Sequence, residues 1–134
     1  MSTHYVAVRD TAVKLPEGDY FGRLYLPEDP PDDFRAPFDF HIPDDVHIDH
    51  DARCIVAFMI DPTEDADMPY KVRLNDVEIR SRHPVGGVAR GMWEIVSGDL
   101  LLQGDNTIEF WALPNHDSRG YLYFSDVVIW YKST

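Results

Sequence analysis

The sequence predicts an all-β sandwich of about eight to ten short antiparallel strands, and three observations carry that prediction. Short apolar segments recur at close spacing between turn signals, with ten prolines and eight glycines scattered along the chain. No stretch long enough for a helix keeps a clean 3.6-residue apolar period. The best-defined segment, Leu100–Trp111, runs apolar as far as Gly104, turns through Asp105 and Asn106, and resumes in alternation. Beyond the turn Ile108, Phe110 and Ala112 point one way and Thr107, Glu109 and Trp111 the other, the period-2 signature of a half-buried strand.

Taken in order, strands are expected near Tyr5–Arg9, Ala12–Leu15, Gly22–Leu26 and Phe38–Ile42. Between the last two, Pro27–Pro37 is acidic and proline-rich, and proline removes the backbone donor that a sheet needs, so this loop is expected to pair with none. Arg53–Asp61 is apolar on both parities, which predicts a central strand covered on both faces. Tyr70–Leu74 and Val77–Arg80 form a hairpin whose two-residue turn is Asn75-Asp76, residue types that tolerate positive φ. Gly91–Val96, Thr107–Leu113 and Gly120–Tyr131 complete the set, and residues 1–134 are read as one domain. Among the aromatic residues, Phe58, Phe110 and Trp130 are assigned to the core, while Tyr70, Trp93, Tyr121 and Phe34 fall near strand ends or loops.

Composition narrows the function classes. One cysteine, Cys54, allows no intrachain disulfide and lies in an apolar run, as an inert core thiol would. The net charge is −12, made from 18 Asp and 6 Glu against 9 Arg and 3 Lys. A surface so rich in Asp and poor in Lys repels itself unless salt screens it, the pattern of proteins from extreme halophiles. No basic patch suits nucleic acid, no apolar run spans a bilayer, and no secretion signal is visible. The expected location is therefore the cytoplasm or a particle assembled there.

Reaction chemistry is sparse. His116-Asp117-Ser118 holds the residue types of a catalytic triad, but adjacent side chains diverge, and a triad needs separate segments. No glycine-rich phosphate loop opens a helix. A non-enzyme is expected. Carboxylates and imidazoles alternate at His47, Asp49 and Asp51, which on one strand face could converge on a metal ion. Exposed rings at Tyr70, Trp93 and Tyr121, with Arg90 and His116 as hydrogen-bond donors, form the candidate ligand-binding set.

Val72-Arg-Leu-Asn-Asp76, the lone Trp93, Leu101-x-x-Gly104-x-Asn106-x-Ile108 and the closing Ser125–Tyr131 strand together resemble the galactose-binding-domain-like family of jelly-roll sandwiches. The chain also resembles small domains of salt-loving archaea. The family resemblance implies a jelly roll, a partly buried Trp93, a role for Asp126 at a strand start, and a structural Ca²⁺ in some members. The leading functional expectation is a non-catalytic assembly module that packs against itself or a larger structure, such as a virion decoration or turret component of a halophile-infecting virus. The alternative is a carbohydrate-binding module, and a weaker one is a metal-dependent sensor at His47–Asp51.

Overall fold

The computed structural model describes residues 1–23 and 25–134. Among these residues nine strands, β1 (Ser2–Arg9), β2 (Val13–Leu15), β3 (Arg35–Ile42), β4 (Arg53–Pro62), β5 (Tyr70–Leu74), β6 (Val77–Arg82), β7 (Arg90–Ser97), β8 (Gly104–Ala112) and β9 (Leu122–Ser133), build two antiparallel sheets. One sheet runs β1-β9-β4-β7, with β2 pairing the far end of β9; the other runs β3-β8-β5-β6. The fold is the jelly-roll sandwich that the alternating patterns predict. No helix among the described residues is long and apolar enough to cross a membrane.

The inner faces bury every second residue. Phe58 of β4, Phe110 of β8 and Phe124 of β9 meet at the centre, with ring centroids 5.2 Å apart for Phe58–Phe110 and 4.6 Å for Phe110–Phe124. Tyr70 packs edge-on against Phe124 at 5.4 Å. Cys54 is buried further along β4 in the same core, and burial pushes its thiol up to about 11. At about pH 8 the folded protein is therefore expected to resist a disulfide thiol reagent until it is unfolded. Reaction of the native chain at the rate of a free thiol would contradict that burial.

The turns follow their residue types. Asn75 and Asp76 take φ of 47° and 67°, closing the β5–β6 hairpin as expected. Gly104 takes φ of 87°, but the strand begins there, so Asp105 and Asn106 already belong to β8. Asn106 is 2% exposed and contributes through its side chain. Its Oδ1 accepts from Leu102 N and from Asn75 Nδ2, both at 2.8 Å. Its Nδ2 donates to Leu102 O at 2.8 Å and to Gly104 O at 3.0 Å.

Several expectations need correction. Residues 35–37 of the proline-rich segment do pair, opposite Trp111–Glu109 of β8. Pro37 is tolerated because β3 is an edge strand, where its missing N–H leaves no gap in the ladder. The described residues of Gly22–Leu26 form a turn at Gly22 (φ 77°) and a lone bridge from Leu26 to Asp29, and Leu24 lies outside the described residues. Phe34 is fully buried beneath Tyr20 and Tyr25 instead of standing free in its loop. β4 is central, but only Cys54, Val56, Phe58, Ile60 and Pro62 are buried, while Ile55, Ala57 and Met59 look outward, half-covered.

The most consequential correction lies in β9. Alternation from Leu122 and Phe124 would turn Asp126, Val128 and Trp130 inward. Asp126 instead sits at φ 53° in a bulge, where the pairing with β4 slips between Ala57 and Met59 and that with β1 between Ala7 and Arg9. One extra residue flips the parity of everything after it. Val127, Ile129 and Tyr131 are consequently buried, and Trp130 faces out, half-exposed. Asp126 thus marks the middle of a strand, its backbone N–H directed to Asp10 O.

No Asp or Glu among the described residues is buried. The proposal that so acidic a surface is tuned to concentrated salt carries a direct expectation. Dilution from about 2 M to about 0.1 M KCl should lower the melting temperature by on the order of 10 °C, as the screening length grows from a few Å to about 10 Å. An unchanged melting temperature would contradict it.

Candidate functional site

The sandwich has two outer faces of opposite character. On the β3-β8-β5-β6 sheet, Arg35, Asp39, Lys71, Arg73, Thr107 and Glu109 point outward. Trp111 is 4% exposed there because the Arg73 guanidinium lies over its ring at 4.7 Å, with Glu109 accepting from its indole N–H. That face is sealed and charged.

The other outer face is apolar and open. Cross-strand register lines up Tyr5, Trp130, Ile55 and Ile95 in one row and Ala7, Val128, Ala57 and Trp93 in the next. Tyr5 and Trp93 are each 69% exposed and Ile95 is 64% exposed. The adjoining row brings Thr3 with Lys132 and Arg53 with Ser97, so three successive rows carry no carboxylate in a chain with 24 of them. A patch of this kind on an otherwise polar protein marks a site that meets something else.

Within it lies a shallow pocket of about 220 Å³ lined by Trp93, Trp130, Ile55, Arg53, Lys132 and Thr3. Trp93 and Trp130 stand on β7 and β9 with β4 between them, two strand spacings or about 10 Å apart across the sheet and offset by one row along it. Ile55 and Ala57 supply the low ground between the two indoles. At one end Lys132 Nζ donates to Thr3 Oγ1 at 2.7 Å. The volume falls below the roughly 300 Å³ of an enclosing small-molecule site, so this is a platform that covers one face of a ligand. Flat apolar rings with cations and a hydroxyl at the rim suit a molecule with an apolar face and a polar edge.

The five predicted ligand residues do not form one site. Trp93 stands on the platform, far more exposed than the resemblance implies. Tyr70 is 1% exposed in the core and lines a separate pocket with Arg90. His116 is exposed in its loop, with Asp117 Oδ2 at 3.3 Å. Tyr121 is half-buried at one end of the sandwich, under Lys14 Nζ at 4.6 Å and edge-on to Tyr20 at 5.7 Å. Sequence reasoning missed Trp130, Ile55, Arg53 and Lys132. A lone Asp inside the apolar Ser125–Tyr131 run was the available sign of the bulge that exposes Trp130.

His47, Asp49 and Asp51 do not converge. Among the described residues no three His, Cys, Asp or Glu side chains are gathered as a metal ion would require. The segment is a turn beside β9 instead: Asp49 N donates to Lys132 O, and Asp49 Oδ1 accepts from Asp51 N at 3.0 Å. Its carboxylate is spent on local backbone.

No protein-family model matches the sequence, and no curated protein is similar to it. Solved structures share the fold. The CBM36-1 domain of a multidomain xylanase from the hindgut metagenome of Trinervitermes trinervoides superposes with a TM-score of 0.51 at 10% identity, covering 99% of each chain. The C-terminal domain of EclA, a sugar-binding protein, gives 0.53 at 6% identity over 92% of this chain and 80% of its own. A CBM4 structure gives 0.50 at 12% identity over 97% and 71%. At such identities the likeness establishes the shared β-sandwich and nothing finer.

Proposed function

We propose that this chain is a non-catalytic carbohydrate-binding domain of the galactose-binding-like type, holding a glycan on the open face of the β1-β9-β4-β7 sheet. The observation that carries the reading is the pair of outward indoles, Trp93 and Trp130, flanking one pocket with Arg53 and Lys132 at its rim. A pyranose ring presents a face of C–H groups bordered by hydroxyls. Stacking that face on an indole buries apolar surface on both partners, and the rim donors meet the hydroxyls. The sugar-binding neighbours with the same fold support the reading by analogy.

One observation favours a second reading. Tyr5 and Ile95 extend the apolar face beyond the pocket, and an assembly module of a virion or other particle would use such a face against another protein. A glycan array and sedimentation velocity, both in molar salt, separate the two. Carbohydrate binding predicts a monomer retained by particular glycans. A stable oligomer that binds no glycan would replace this reading with assembly.

A further inference from the structure

A second pocket, of about 190 Å³, opens at the other end of the β4 and β7 strands, where the edge of one sheet meets the edge of the other. Its wall includes Ile60, Tyr70, Arg82, His83, Arg90 and Met92. It brings two arginines and a histidine together, and none of its lining residues is acidic. Neither Arg82 nor Arg90 forms an ion pair among the described residues, whereas nearby Arg80 is engaged by Glu94 at 2.7 Å and His83 by Asp67 at 2.8 Å.

Tyr70 gives this pocket its independent sign. Its ring is 1% exposed, and its buried hydroxyl makes no well-aligned hydrogen bond among the described residues, although the Arg80 guanidinium lies beside it. A buried orphan donor in a native fold calls for an explanation, and an unoccupied ligand site is one. Burial raises the pKa of this phenol, so at neutral pH it remains an O–H donor. The loop carrying Val85 and the glycines is held in place: Gly87 N donates to Thr63 O at 3.0 Å, and a Cβ on Gly86 would lie 2.6 Å from Glu64 O.

We propose that this pocket binds an oxyanion, a carboxylate or sulfate, between the Arg82 and Arg90 guanidinium groups with the Tyr70 hydroxyl as third donor. Guanidinium forks match such groups in geometry as well as charge, and the small volume suits one substituent rather than an extended chain. The group could arrive as a free anion or as the acidic substituent of a sugar.

The test is NMR titration of ¹⁵N-labelled protein, following the arginine Nε–H signals at constant ionic strength set with NaCl. Sodium sulfate, sodium acetate and a galacturonate oligosaccharide serve as probes. Saturable shifts at Arg82 and Arg90 are expected. Saturation by sulfate or acetate assigns a free oxyanion, and saturation by the galacturonate probe alone assigns a sugar-borne one. R82Q/R90Q should weaken binding at least tenfold. Tyr70→Phe should weaken it several-fold with little loss of melting temperature, because the hydroxyl has only a poorly aligned contact with Arg80 to lose. W93A should leave it unchanged, so that failure of the glycan platform and failure of this pocket read out separately. No saturable shift with any probe, or shifts that survive in R82Q/R90Q, would overturn the proposal.

Discussion

Replacing Trp93 by alanine is expected to weaken glycan retention by roughly thirtyfold, and replacing Trp130 as well should bring it to background. The magnitude follows from area. A sugar face laid on an indole covers on the order of 80 Å² of apolar surface, which at about 25 cal/mol per Å² contributes about 2 kcal/mol. Each 1.4 kcal/mol is roughly a tenfold change in affinity. Stability provides the control. Trp93 is 69% exposed on an edge strand, so its loss should alter folding by no more than about 0.5 kcal/mol. Trp130 is half-buried, and Trp130→Leu is the safer partner for the double variant. Affinity electrophoresis against the array-selected polysaccharide, beside thermal melts, checks both halves. Undiminished retention by Trp93→Ala would remove the platform from the account.

Asn106→Ala is expected to cost about 3 to 5 kcal/mol of folding stability, a large share of the roughly 5–15 kcal/mol available to a domain of this size. Its amide satisfies Leu102 N, Leu102 O, Gly104 O and Asn75 Nδ2 together. Asn75 in turn donates to Leu100 O at 2.7 Å and accepts from Thr107 N at 2.9 Å. One small network thus ties the β5–β6 hairpin to the start of β8. Deleting the amide strands several backbone groups where water reaches poorly, and each such group costs about 1–3 kcal/mol. Asn106→Asp should be at least as damaging, since it replaces two donors by a buried negative charge facing two carbonyls. Urea melts of the two variants measure this, and a loss under about 1 kcal/mol for the alanine variant would show that the network is dispensable.

How far the sequence could be read depended on whether a feature was local. Asn75-Asp76 announced its turn because the backbone angles required there suit those two residue types. Thr107–Leu113 and Arg53–Asp61 were legible as strands because alternation and apolar runs are properties of neighbouring residues. Inside and outside were harder. Trp130 was assigned to the core by counting in twos from Phe124, and the bulge at Asp126 reversed that count. Tyr70 and Phe34 read as exposed because they flank loops, yet Tyr70 points between the sheets onto Phe58 and Phe124, and Phe34 is covered by Tyr20 and Tyr25.

The candidate site was legible only at Trp93. Its partners come from β4 and β9, distant in sequence and adjacent only through sheet order. No single-chain pattern brings Arg53, Ile55, Trp130 and Lys132 to one place. Asn106 shows the reverse case: its type and position were singled out, but the turn it serves is made through its buried amide rather than its backbone.

The central claim is that the open apolar sheet face is where this protein meets carbohydrate. Amide and indole N–H shifts, recorded by NMR while the array-selected oligosaccharide is added, test it most directly. The account predicts that the largest saturable shifts fall at Trp93, Trp130, Ile55 and Lys132. Largest shifts at the Pro114–Arg119 loop or around Tyr20 and Tyr121, with the sheet face undisturbed, would contradict it.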